Sequence, residues 1–307
     1  MKLGMKRAAY VTIFTGLFGV GFATAIGLAP PAASTSATES AQDSRALDSV
    51  SAECWAQVRS KRIYFAHQSV GSNMLKGVRV LLDAHSSIGL SVMAYRDESK
   101  RASSDPKPFA QAGLVQGPAG ANGAGGKKID AFVEFLRSPI AAEVDIAILK
   151  LCYADVGKST DVDALFREYA AAIKKLKLDR PTLQIVHCTV PLKAPETGAK
   201  ARVKKLVGSG TESANASRGR FNELVRTTYE AATICDVARA ESIRGDRTEC
   251  TVTVDGVKWP ALVPEYTDDG GHLNAIGQVV VAREFLLALS RQCSEVTAPS
   301  HPSEVKK

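Results

Sequence analysis

Three residues of this 307-residue chain have the types and spacing that nucleophilic catalysis requires: Ser69, Asp269 and His272. Ser69 stands in RIYFAHQSVGSNML, residues 62–75, where a short apolar run passes directly into His, Gln, Ser and Gly. Where a strand turns straight into a helix, side chains stand above the sheet edge within reach of a ligand. Asp269 and His272 lie near the other end of the chain, in EYTDDGGHLNAIGQ. The two glycines between them let the loop bend tightly. The carboxylate can then turn back to accept the Nδ1 proton of the imidazole and leave Nε2 facing outward. An outward Nε2 is the general base that a serine hydroxyl needs in order to attack a carbonyl carbon. Each residue also has an ordinary structural reading. A serine after a strand commonly caps a helix, a histidine in a Gly-rich loop is commonly a surface group, and Asp268 competes with Asp269 for the same role. The combination points to catalysis.

Elements that could position these residues follow from hydrophobic periodicity. Strands are predicted at 63–66, 88–95, 144–153, 182–190 and 233–238, and helices at 70–84, 127–136, 162–177 and 218–232. A further helix starts at Asn274 and carries Val280, Val281, Phe285 and Leu289 on its apolar positions. Near-continuous apolar strands alternating with helices predict a parallel sheet covered on both faces, in one α/β/α domain. Two segments depart from the rhythm. ECTVTVDGVKWPAL alternates around Asp255 and Gly256, which predicts a late β-hairpin. SSDPKPFAQAGLVQGPAGANGAGG predicts a long Gly- and Pro-rich loop, of a kind that compact domains keep for function. No internal repeat or heptad pattern is present.

Lys2, Lys6 and Arg7 precede an apolar run over 8–29, followed by small and polar residues. This order predicts an export signal over 1–33, a flexible leader over 34–50, a folded domain over 51–293 and a disordered tail over 294–307, with a secreted or cell-envelope location. The apolar run is also long enough to span a bilayer, so the alternative is an uncleaved anchor, and membrane contact is expected only in that case. Six cysteines permit disulfides in an exported chain. Cys54 and Cys293 flank the domain and can tie its ends; Cys235 and Cys250 form a second candidate pair. Cys152 and Cys188 fall in apolar runs and are expected to be buried thiols. No C-x-x-C spacing signals zinc. The net charge of +7 is spread over surface patterns without aromatic or motif context, so no nucleic-acid partner is expected.

Taken together, FAHQSVGSN, ANGAGGKKIDAF, DIAILKLCYADV, RFNELVR and DGGHLNAIGQVVVA resemble blocks of the SGNH or GDSL-type hydrolases. The likeness is closer to a bacterial branch with an HxSVGxN nucleophile block. The resemblance implies a flavodoxin-like three-layer sandwich with Ser69 as nucleophile, His272 as base and Asp269 as its orienting acid. It also implies an oxyanion site built from the serine's own N–H, a glycine N–H and an asparagine amide. The family's third-strand block reads Gly-x-Asn-Asp, whereas this chain has Cys152, Tyr153, Ala154 and Asp155, so the usual asparagine is absent. Gly120, Asn122 and Gly123 from the long loop are the candidate replacements. His67 is a further candidate, although its imidazole can equally be satisfied by neighbouring backbone.

The expected activity is an exported serine esterase acting on acyl or acetyl esters through an acyl-enzyme, without cofactor or metal. Its substrate is expected to be a small ester or an acetylated polysaccharide or lipid. Three other readings compete. An ordinary α/β-hydrolase would place its nucleophile after several strands and its acid and histidine on separate loops. A catalytically weak or inactive carbohydrate-binding or accessory domain could share the fold. A metal-dependent phosphoesterase would use His67, Asp269 and His272.

Overall fold

The computed structural model describes residues 46–95, 107–196 and 211–293. The expected export signal, most of the leader, the tail and part of the long loop lie outside the described residues.

Six strands form one parallel sheet: β1 (Arg62–His67), β2 (Val92–Ala94), β3 (Gly113–Pro118), β4 (Ile146–Leu149), β5 (Gln184–Cys188) and β6 (Ile234–Cys235), in the order β2-β3-β1-β4-β5-β6. Without the short edge strand β2, this is the flavodoxin-like order, winding outward in both directions from β1. The reversal of winding opens a crevice beyond the carboxyl end of β1, and Ser69 follows that end directly.

Alternation along β1 accounts for a strand that is apolar throughout. Ile63 and Phe65 enter one buried layer and Tyr64 and Ala66 the other. The first layer is closed by α1 (Ala52–Arg59), α2 (Val70–Ala84), α6 (Val237–Ser242) and α7 (Ala275–Ser290), through Trp55, Met74, Val78, Val237, Phe285 and Leu289. The second is closed by α3 (Gly125–Arg137), α4 (Val162–Asp179) and α5 (Thr211–Thr228), through Phe132, Leu136, Phe166, Ile173 and Phe221. Helices α2 and α7, near the two ends of the domain in sequence, lie side by side. At Gly77 they are so close that a Cβ would sit 2.0 Å from the Gln278 carbonyl oxygen.

The hairpin is present as β7 (Thr251–Val254) and β8 (Val257–Pro260), with Asp255 at φ 50° and Gly256 at φ 79° in its tight turn. Four expectations are corrected. Most of the strand expected over 88–95 is loop, leaving only Val92–Ala94 as β2. The Gly-rich segment contributes β3, whose pattern is masked by Gly113 and Gly117; a Cβ at Gly117 would come within 3.3 Å of the Tyr64 ring. The helix expected over 218–232 is Thr211–Thr228, and the strand expected over 233–238 is two residues long before α6 begins at Val237.

Cys54 and Cys293 are disulfide-bonded across a separation of 239 residues. Cys235 and Cys250 are not paired: both are buried free thiols, Cys235 registered opposite Cys188 in the sheet and Cys250 donating to the Leu262 carbonyl. Cys152 and Cys188 are buried. Among the described residues no helix is long and apolar enough to cross a membrane.

Candidate active site

Ser69 sits at the junction of β1 and α2 with φ 52° and ψ −102°. A non-glycine residue at positive φ is strained and persists only where its surroundings hold it. Its side chain makes no capping bond to the helix. Instead Oγ lies 2.5 Å from His272 Nε2.

The loop before α7 is built around the Asp269 carboxylate. Oδ1 accepts the backbone N–H groups of Gly271 (2.8 Å) and His272 (2.7 Å), while Oδ2 accepts His272 Nδ1–H at 2.6 Å. Gly270, at φ 79°, provides the turn that folds the carboxylate back onto the ring. The bond from the His272 ring, followed by that from the His272 backbone, holds the Asp269 carboxyl well below the usual carboxylate range. An ionised acceptor keeps the imidazole proton on Nδ1. The Nε2 lone pair then faces the Ser69 hydroxyl.

Asp268 does not compete for the imidazole. It accepts Nδ2–H of Asn274, whose Oδ1 caps α7 by accepting from Ile276 and Gly277. Asn73 on α2 accepts the Leu273 N–H at 3.3 Å, which fastens the serine-bearing helix to the histidine-bearing loop. The side chains of His272 and Asp269 are 46% and 56% exposed, so the pair opens to solvent.

Tyr153, after β4, is a member of the site that the sequence does not single out. Its hydroxyl lies 3.4 Å from His272 Nε2, the atom that also meets Ser69 Oγ. The ring meets His272 edge-on at 5.8 Å and packs against Gly271. Arg218 Nε donates to the Tyr153 carbonyl at 3.0 Å, and the Lys193 ammonium stands 5.5 Å from the ring centre. Burial, followed by the fields of Cys152 and Asp269, raises the phenol pKa, so the hydroxyl keeps its proton. The one signal for it in the sequence is a tyrosine at the carboxyl end of a central strand.

The candidate oxyanion residues divide. Gly123 spends its N–H on Asp155 Oδ1 at 2.7 Å. Asn122 Oδ1 accepts from Lys128 Nζ at 2.9 Å, which fixes the amide and leaves Nδ2 without a partner among the described residues. Gly120, at φ 70°, lies in the same loop, which begins beside β1 where Ala119 N–H donates to the His67 carbonyl. The backbone N–H groups of Gly120 and Ser69 have no hydrogen bond among the described residues. A buried ion pair pins this loop to the one after β4: Asp155 accepts from Lys128 Nζ (2.7 Å) and from the Cys152 N–H (2.6 Å).

His67 is not brought into the site. Its imidazole is 5% exposed, stacked on Phe65, with Nε2 bonded to Gln116 at 2.8 Å and Nδ1 closed in against Gly71. Burial lowers its pKa to about 4, so the ring is neutral. His67, Asp269 and His272 therefore do not converge, and among the described residues no group of three His, Cys, Asp or Glu side chains is arranged to hold a metal ion.

No protein-family model matches the chain, and no curated protein does. Among solved structures, a Streptococcus pneumonia protein provisionally designated a platelet activating factor is similar, at 15% identity over 83% of this chain and 100% of that one, with a TM-score of 0.38. Two catalytic mutants of an acetylxylan esterase from Geobacillus stearothermophilus are similar at 15% and 14% identity, over 75% of this chain and 94% of each of theirs, with TM-scores of 0.33. Likenesses at these scores carry no argument about activity. The site's own geometry has to carry it.

Proposed function

We propose that this chain is a serine ester hydrolase that cleaves acyl or acetyl esters through an acyl-enzyme. The observation that carries this reading is the continuous chain of hydrogen bonds from Ser69 Oγ to His272 Nε2 and from His272 Nδ1 to Asp269, assembled on a strained serine. In the first half-reaction the Ser69 proton passes to Nε2 while Oγ bonds to the ester carbonyl carbon. His272 then returns the proton to the departing alkoxide as the carbonyl–oxygen bond breaks. In the second, His272 takes a proton from water as the water oxygen bonds to the acyl carbon, then gives that proton to Ser69 Oγ as the bond to serine breaks and the acid leaves. Developing negative charge on the carbonyl oxygen would be met by the Ser69 N–H, with the Gly120 N–H and Asn122 amide as further donors and the Tyr153 hydroxyl beside the reacting pair.

An acetylated polysaccharide or lipid outside the cytoplasm suits the expected export signal, and the Cys54–Cys293 bridge supports an oxidising compartment. Turnover of p-nitrophenyl acetate tests the reading. Wild type should be active and unaffected by EDTA, Ser69→Ala should be inactive, and a fluorophosphonate adduct should map to the Ser69 peptide. Undiminished turnover by Ser69→Ala would refute it. Absence of ester turnover with retained polysaccharide binding would favour an accessory domain.

A further inference from the structure

Lys150 interrupts the apolar run that forms β4, and its side chain is completely buried. Its ammonium donates to the Gln68 carbonyl at 2.9 Å and to Cys152 Sγ at 3.5 Å. No carboxylate among the described residues lies within ion-pair reach of it. An ammonium held out of water with no carboxylate in contact is costly: burial lowers the Lys150 pKa, and the acid group that feels its charge, Glu241, is itself buried. The main acceptor of Lys150 points to a use: the Gln68 carbonyl belongs to the same planar peptide group as the Ser69 N–H.

We propose that Lys150 is a positioning residue for oxyanion binding: by bonding the Gln68 carbonyl it orients and polarises the Gln68–Ser69 peptide, so that the Ser69 N–H becomes a stronger, fixed donor to the oxyanion. This rests on the serine-hydrolase reading above. Lys150 Nζ and the Gly71 N–H at 3.0 Å grip that carbonyl, with the Cys152 thiol a longer third donor at 4.0 Å, and together they fix the peptide plane at a residue whose φ of 52° would otherwise relax. A charged donor on the oxygen draws electron density from the amide nitrogen, and hydrogen bonds in series reinforce one another. The positive charge also lies on the side of the peptide opposite the developing negative charge. The Ser69 N–H has no partner among the described residues and so is available.

The test replaces Lys150 by Met, which keeps the length and removes the ammonium, and by Gln, which keeps an N–H donor without the charge. With p-nitrophenyl acetate, kcat should fall about tenfold in Lys150→Met, a fraction of what losing a whole oxyanion donor costs, with KM within twofold. In Lys150→Gln, which keeps a donor but not the charge, kcat should fall about three- to fivefold. The rate of fluorophosphonate labelling should drop by the same factor as kcat, while the melting temperature is maintained or rises, because an uncompensated buried charge has gone. A merely structural lysine would instead lower melting temperature and kcat together, and that result overturns the proposal. So does a kcat within twofold of wild type in either variant when Ser69→Ala is inactive. If Lys150→Met does not fold, Lys150→Gln decides by the same twofold limit. Activity retained by Ser69→Ala would be a failure of the hydrolase reading itself and is distinguished by that control.

Discussion

At the scale of single residues, the site turns on the hydrogen bonds of the Asp269 carboxylate. Asp269 is locked by three N–H donors, so its role is to keep His272 in one tautomer and orientation. Asp269→Asn should preserve the fold and lower kcat on p-nitrophenyl acetate by about 10⁴-fold, because an amide can present its NH₂ to Nδ1 and favour the wrong tautomer. A loss of less than tenfold would remove Asp269 from the mechanism. Tyr153→Phe deletes one hydroxyl beside Ser69 and Nε2 while leaving the ring that packs on Gly271. A decrease of about tenfold or more in kcat is expected, at unchanged melting temperature. The serine, histidine and aspartate are visible in the sequence because those residue types, in those local contexts, rarely coincide without a catalytic use. Tyr153 is not visible there, since an aromatic residue after an apolar strand ordinarily reads as core.

At the scale of elements, the distance between Ser69 and His272 is a property of helix packing. Ser69 begins α2, His272 precedes α7, and the two helices touch through Gly77 and the backbone of Gln278. Gly77→Ala would push a methyl group into a carbonyl oxygen. It should destabilise the protein by about 1–3 kcal/mol in chemical denaturation and lower kcat by separating serine from imidazole. The ion pair of Lys128 and Asp155 does for the loop at 119–124 what the helix pair does for Ser69 and His272, binding the Gly123 N–H and the Cys152 N–H to one carboxylate. Removing one partner leaves a buried charge alone, so Asp155→Ala should cost about 3–5 kcal/mol. A change below about 1 kcal/mol would show the pair to be dispensable.

At the scale of the whole molecule, buried titratable groups set the pH range of stability. Desolvation lowers the pKa of His67 to about 4 and of His187 to about 3, and raises that of Glu241 to about 8. For the histidines the folded value lies below the unfolded one of about 6.5. Their contribution is complete above that pH and is lost as pH falls through about 4 and then about 3. For Glu241 the sign is opposite: its contribution is complete below the unfolded value of about 4.3 and is lost as pH rises through about 8. The melting temperature should therefore peak near about pH 6, and Glu241→Gln should flatten the alkaline side. A wild-type melting temperature that is constant from about pH 4 to about pH 8 would contradict these assignments. Reducing the Cys54–Cys293 bridge should lower stability by about 2–5 kcal/mol, since it closes nearly the whole domain into one loop.

The sequence by itself determined the α/β rhythm, the helix at 70–84 to the residue, the hairpin around Asp255 and Gly256, and the short-range link between Asp269 and His272. These depend on periodicity, turn chemistry and contacts within a few positions, all of which are local. Only the tertiary structure decided that Ser69 meets His272 across 203 positions, that Tyr153 joins them, that His67 turns inward and that Lys150 bonds the Gln68–Ser69 peptide. Those facts follow from which helix packs on which face of the sheet and from how burial sorts polar atoms onto the few partners within reach. One chain position carries no record of its distant neighbours.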